Sequence, residues 1–244
     1  MTIPETQAFR PLARPPLALL SVIDDGDTQG EVVRVRTSPF VIGRAEGDLL
    51  VPHDSGMSTR HAELSRELEN GRYRWSLRDL QSTNGTFVRV SGSVLKDLQE
   101  LLLGGVRLRF VIASTPGPSG PPAGGPVATT QKWQALTSAG RPSAPAPELV
   151  VLTPQGEGRR YPLIGDEIWI GRDPERCTVV LNDPMVSPRH ARIRKDPHGR
   201  WSIHNERSLN GLWIAIEEIS LERGGQFQCG EQRFQVRIPE SAST

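Results

Sequence analysis

Cysteine is nearly missing from this chain: Cys177 and Cys229 are the only two in 244 positions. Both lie in the second half, without the spacing of a metal site or a disulfide framework. They read as two reduced thiols of a cytosolic protein, and neither a metal nor a cofactor is expected. Charge of either sign is not in excess: 29 Lys and Arg stand against 28 Asp and Glu, a net +1. The arginines are scattered through strand-like stretches, whereas a nucleic-acid binder concentrates basic residues on one face, so no nucleic-acid partner is expected. Long hydrophobic runs are missing too, and no stretch reaches the roughly 18 apolar residues of a membrane helix. Residues 17–23 imitate a signal-peptide core. Pro15-Pro16 precede them and Asp24-Asp25 follow, with no small-residue cleavage site, so they read as a first strand. The expectation is a cytoplasmic protein without a membrane partner.

Helical periodicity is equally scarce, while glycine (24) and proline (21) are plentiful and punctuate short apolar runs. Those runs have a period of two. Val106, Leu108, Phe110 and Ile112 are separated by Arg107, Arg109 and Val111, which opposes an apolar face to a mostly polar one. Phe227, Cys229, Phe234, Val236 and Ile238 repeat that ending. Val32, Val33 and Val35, Phe40-Val41-Ile42, Tyr73, Trp75 and Leu77, and Trp201 with Ile203 read as further strands. One helical interruption is expected at 96–103; the matching 219–223 reads as turn and strand because Gly224-Gly225 follow. Many short strands with closely spaced turn signals predict an all-β fold of antiparallel sandwiches.

Composition divides the chain into a polar arm (1–15), a strand-rich unit (16–113), a stretch of Pro, Gly, Ala, Ser and Thr (114–147), a second strand-rich unit (148–239) and a tail (240–244). Trp133 and Leu136 are rare apolar residues in the central stretch. Such a segment buries too little surface to offset its chain entropy, so it reads as a flexible linker between two sandwich domains.

The two units carry the same spaced residues. Gly43-Arg44, Ser58-Thr59-Arg60-His61 and Ser82-Thr83-Asn84-Gly85 recur as Gly171-Arg172, Ser187-Pro188-Arg189-His190 and Ser208-Leu209-Asn210-Gly211. Between the last two groups, Arg74-Trp75-Ser76-Leu77-Arg78-Asp79 aligns without gaps on Arg200-Trp201-Ser202-Ile203-His204-Asn205. A repeat of this kind describes one structural unit used twice. Arg44 and Arg172 each follow a glycine that ends an apolar strand, which places a guanidinium on a loop at the tip of a sandwich. A guanidinium fork matches two phosphate oxygens. Ser58 and Ser187 stand three residues before His61 and His190, a spacing that imitates a nucleophile and its base. Asp79 becomes Asn205 in the second copy, so the acid of such a triad is not preserved between the repeats. The better roles are a hydroxyl that donates to an anion and a histidine that holds its loop. Asn84-Gly85 and Asn210-Gly211 are tight-turn signals whatever else they do, and an Asn amide both donates to and accepts from a peptide backbone.

The ordered set Gly-Arg, Ser-x-x-His and Asn-Gly resembles the forkhead-associated (FHA) domain, twice in tandem. That resemblance implies two β-sandwiches whose apical loops bind phosphothreonine peptides. It implies phosphate contacts from Arg44, Ser58 and Thr83 and main-chain contact from Asn84. Thr59 and Arg60 count with the first site, and Arg172, Ser187, Arg189 and Asn210 with the second. Gly43, His61, Gly85, Gly171, His190 and Gly211 are implied to be architectural. The first copy has Thr83, Thr86 and Asp79 where the second has Leu209, Leu212 and Asn205, so it is expected to be the more competent reader. The expected function is a non-enzymatic adaptor for phosphothreonine proteins in Ser/Thr kinase signalling; the alternative is an interaction module that binds without phosphate, most of all in the second copy. Glu5-Thr6-Gln7-Ala8-Phe9-Arg10 resembles the phosphorylated N-terminal segment of small actinobacterial FHA regulators, which makes Thr6 a candidate phosphosite. A phosphorylated arm tethered to Arg44 would occupy its site at high effective concentration.

Overall fold

The computed structural model describes residues 17–23, 30–112 and 146–239. The arm with Thr6, the tail and most of the 114–147 stretch lie outside those residues. Every regular element among them is a strand. The first half forms β1 (Ala18–Ile23), β2 (Val32–Val35), β3 (Phe40–Gly43), β4 (Leu49–Leu50) and β5 (Ala62–Glu69). It continues with β6 (Arg72–Asp79), β7 (Thr86–Val90), β8 (Gly92–Val94), β9 (Glu100–Leu103) and β10 (Val106–Val111). The second half forms β11 (Glu148–Thr153), β12 (Gly156–Pro162), β13 (Glu167–Gly171), β14 (Val179–Val180) and β15 (Ala191–Lys195). It ends with β16 (Trp201–Asn205), β17 (Leu212–Ile216), β18 (Glu218–Leu221), β19 (Gly224–Cys229) and β20 (Gln232–Arg237). The helix expected at 96–103 is replaced by a turn, with Leu98 at φ 61°, and by β9. Leu101 and Leu103 are fully buried while Leu102 between them is not, so a period of two governs here as well.

The strands do not group by sequence half. One compact unit takes Met1–Arg89 together with Trp213–Thr244, and the other takes Val90–Leu212. In the first unit one sheet runs β18-β6-β5-β3-β4 and the second layer runs β7-β19-β20-β1-β2. The last three strands of the chain therefore complete the first repeat: Val236 pairs with Leu20, Phe227 with Val88 and Ser220 with Ser76, all antiparallel. In the second unit one sheet runs β14-β13-β15-β16-β8, and β9 and β10 extend β11 and β12. There Ser93 pairs with Ile203 and Phe110 with Leu149. Relative to the expected domains 16–113 and 148–239, the two units have exchanged their C-terminal strands.

Equivalent patterning makes the exchange possible. Leu221, Phe227, Cys229, Phe234 and Val236 are buried in the first unit with Leu20, Ile42, Leu64, Trp75 and Leu77. Leu95, Leu101, Leu103, Leu108 and Phe110 are buried in the second with Leu149, Ile168, Ile170, Ile193 and Ile203. Alternation specifies which face of a strand is apolar, and both terminal sets present such a face. The strands that precede and follow the 114–147 stretch, β10 and β11, pair with each other in the second unit. The chain passes between units at Arg89-Val90 and again at Leu212-Trp213.

Candidate functional site

In the first unit the recognition loops meet where β3 ends. Gly43 is buried there, and a Cβ at this position would lie 2.2 Å from the carbonyl oxygen of Thr59. Glycine lets the strand end approach the loop. The N–H of Arg44 donates to the Ser58 carbonyl at 2.9 Å, and that of Glu46 donates to the Thr59 carbonyl at 3.0 Å. The Arg44 side chain is exposed and makes no hydrogen bond or ion pair among the described residues; the same holds for Arg60.

His61 holds the loop that carries Ser58. The ring is fully buried, and its Nδ1 accepts from the Ser58 N–H at 3.0 Å. Nε2 therefore carries the proton and donates to the Gly85 carbonyl at 3.1 Å. Burial pushes the imidazole below its ordinary pKa, against the smaller opposing effects of the Gly85 carbonyl and the Asp79 and Asp54 charges. Both ring nitrogens are committed to backbone, which leaves none for the Ser58 hydroxyl. That oxygen accepts instead from the Thr83 N–H at 3.0 Å and lies 3.5 Å from the Thr83 hydroxyl. Asp79 binds the Ser82 N–H, the Ser82 hydroxyl and the Thr86 hydroxyl at 2.9, 2.6 and 2.7 Å. It organises the 82–86 turn and is not the acid of a triad. Gly85 has φ 78°, as an Asn-Gly turn requires. The Asn84 amide donates to the Gly56 carbonyl at 2.8 Å and ties this turn to the Ser58 loop.

The second unit repeats the frame. A Cβ on Gly171 would lie 2.2 Å from the Pro188 carbonyl oxygen. The Arg172 N–H donates to Ser187 at 3.1 Å, and the Arg172 side chain is exposed with no partner among the described residues. His190 accepts from the Ser187 N–H at 3.1 Å and donates to Gly211 at 2.8 Å, and burial lowers its pKa too. The Leu209 N–H donates to the Ser187 hydroxyl oxygen at 3.1 Å, and the Asn210 amide to the Met185 carbonyl at 2.8 Å. The surface chemistry differs. Leu209, in the place of Thr83, is 86% exposed, and Met185, in the place of Gly56, is 49% exposed. Arg189, the counterpart of Arg60, lies 3.6 Å above the Trp169 ring. Val41 stands where Trp169 does, so the first unit has no such platform.

Asp54 and Asp183, each four residues before the loop serine, lie outside the recurring motif. Asp54 is buried and accepts from the Gly56 N–H at 2.8 Å and from the Glu231 and Gln232 N–H groups at 2.8 and 3.0 Å. Asp183 accepts from the Met185 N–H at 2.6 Å and the Gly105 N–H at 3.1 Å. Their recurrence at the same offset in both repeats was the available signal. No group of His, Cys, Asp and Glu among the described residues is arranged to hold a metal.

A family model described as the FHA domain matches residues 40–104 and 168–228, together more than half of the chain. FhaB of Mycobacterium tuberculosis, an FHA domain-containing protein, is 39% identical over 67 residues, which are 28% of this chain and 41% of FhaB. The mouse E3 ubiquitin-protein ligase RNF8 is 30% identical over 84 residues, 33% of this chain and 17% of RNF8. The chain thus spans less than half the length of the curated relatives it matches. Among solved structures, Mycobacterium tuberculosis EmbR in complex with a low-affinity phosphopeptide is 26% identical over 36% of this chain and 24% of that one, with a TM-score of 0.21. A structure from a study of phosphothreonine-dependent FHA domain interactions is 25% identical over 38% of this chain and 99% of that one, with a TM-score of 0.22.

Proposed function

The chain belongs to the FHA family through both repeats, and from that premise we propose that it is a phosphothreonine-peptide-binding adaptor of Ser/Thr kinase signalling. It is a non-enzymatic, cytoplasmic protein in this reading, and its first unit is the competent reader. The observation that carries the proposal is the exposed Arg44 guanidinium, without a partner among the described residues, at the apex that also presents the Ser58 and Thr83 hydroxyls. A phosphate brings about −1.5 to −2 charges near neutral pH, and each charge-assisted hydrogen bond to it contributes about 1.5–3 kcal/mol. The Arg60 guanidinium adds donors, and the Asn84 amide, which spends one N–H on the Gly56 carbonyl, keeps its oxygen and second N–H for the peptide main chain.

The second unit supports a different reading. Its Arg172, Ser187 and Asn210 keep the frame, yet Leu209 and Met185 turn the rim apolar and Arg189 is stacked on Trp169. It reads phosphate more weakly or serves as an interaction surface independent of phosphate. A phosphorylated Thr6 arm is the intramolecular ligand we propose for the Arg44 apex. The test is a phosphothreonine peptide library applied to the whole chain carrying Arg44→Ala or Arg172→Ala. Retention by the Arg172→Ala chain and loss by the Arg44→Ala chain are expected; the reverse pattern contradicts the assignment to the first unit.

A further inference from the structure

The clasps at Asp54 and Asp183 have their other halves in the opposite repeat. In the first unit the Asp54 carboxylate joins the Gly56 N–H to the Glu231 and Gln232 N–H groups. Those two N–H groups belong to the β19–β20 turn, from the far end of the chain. Gly230, in the same turn, has φ 60°, and a Cβ there would lie 2.6 Å from Asp54 Oδ2 and 2.7 Å from the Met57 nitrogen. The turn is pressed directly against the loop that ends in Ser58 and supplies the carbonyl holding Asn84. The second unit is built the same way from the first repeat. The Gly105 N–H of the β9–β10 turn donates to Asp183, Gly104 has φ 60°, and a Cβ on Gly104 would lie 2.8 Å from the Met185 carbonyl carbon.

The geometry points to a crossed dependence: Asp54 with the Gly230 turn positions the recognition loop of the first unit, and Asp183 with the Gly104 turn positions that of the second. Each repeat thus carries its own binding residues and borrows the support that sets their geometry. Its consequence for affinity rests on the proposed phosphopeptide reading, while the positioning itself does not. The motif residues of the first apex all lie between positions 43 and 85, and nothing in that interval announces a dependence on residue 230. Asp54 is a positioning residue, since it acts through the backbone of the Ser58 loop.

The test uses the full chain and two readouts. The first is the backbone amide spectrum, followed at Gly56, Ser58, Met185 and Ser187. Gly230→Val shifts the Gly56 and Ser58 signals and leaves Met185 and Ser187 in place; Gly104→Val does the opposite. Gly230→Ala and Gly104→Ala are the milder pair should valine prevent folding, and the same assignment is expected. Shifts at Met185 and Ser187 on changing Gly230 would overturn the proposal, because they would place that turn in its own repeat. The second readout is affinity for an immobilised phosphothreonine peptide with randomised flanks. Gly230→Ala weakens Arg44-dependent retention roughly tenfold, and its effect fails to multiply with that of Asp54→Asn because the two share one contact. Full multiplication of the two effects overturns the clasp. A loss of all phosphate-dependent binding in the unmodified chain, with the crossed amide shifts intact, would remove the functional reading and leave the positioning standing.

Discussion

Cutting the chain between the repeats tests the strand exchange by its most physical consequence. A protease site placed within 114–145 severs the connection between β10 and β11, and each fragment then holds parts of both units. For the fragments to part, Leu221, Phe227, Cys229, Phe234 and Val236 must leave the first unit, and Leu95, Leu101, Leu103, Leu108 and Phe110 the second. At about 2 kcal/mol for each buried side chain these contribute roughly 20 kcal/mol. Association costs on the order of 10 kcal/mol. The remainder of about 10 kcal/mol corresponds to a dissociation constant below micromolar, for which about 8 kcal/mol suffices. Each fragment also contains the strands to close on itself, so the persistence of the pair is set by the unfolding rate as much as by affinity. The assay is size exclusion with light scattering, run soon after native cleavage. One particle with the mass of the intact chain is expected, and unfolding and refolding the cleaved sample should release particles of half that mass. Immediate separation into two half-mass species without unfolding would refute the exchange.

Further expectations follow from individual contacts. Gly43→Ala places a methyl group 2.2 Å from a backbone oxygen; a loss of at least about 1–3 kcal/mol should appear in thermal unfolding, and an unchanged melting temperature would contradict the close approach. Burial holds His61 and His190 below their ordinary pKa, so the unfolded chain binds more protons than the folded one as pH falls below about 6.5. Stability from these two groups is complete above that pH and is lost as pH falls toward their lowered folded values. The urea midpoint should drop on acidification through this window, and a flat or rising midpoint contradicts it. In an Arg44→Ala chain, Leu209→Thr restores a hydroxyl to the second apex and should strengthen its phosphothreonine binding about threefold to tenfold, the worth of one hydrogen bond. Unchanged titrations would show that Leu209 is not what weakens that site.

Much of this architecture was legible in the residues themselves. Leu108 and Phe110 alternate with Arg107 and Arg109, and the structure buries the first pair in a strand. Asn84-Gly85 and Asn210-Gly211 form turns with positive φ at glycine. Gly43 and Gly171 end their strands against a carbonyl oxygen, which is a more specific reason for glycine than the turn signal suggested. The partner of each terminal strand was not legible. Phe227, Cys229, Phe234 and Val236 alternate as Leu101, Leu103, Leu108 and Phe110 do, and alternation gives the face that is buried, not the core that buries it. Residues 96–103 resembled a helix because Leu101-Leu102-Leu103 masks its alternation, and only the burial of the outer two leucines reveals a strand. At the apexes the motif located Arg44, Ser58 and Asn84. It was silent about Asp54, whose partners lie 177 and 178 positions away.

The most direct measurement for the functional claim is a calorimetric titration of the intact chain with one phosphothreonine peptide and its unphosphorylated twin. Binding of the phosphorylated form alone is expected, lost in Arg44→Ala and retained in Arg172→Ala. Equal binding of both peptides, or phosphopeptide binding indifferent to Arg44, would contradict it.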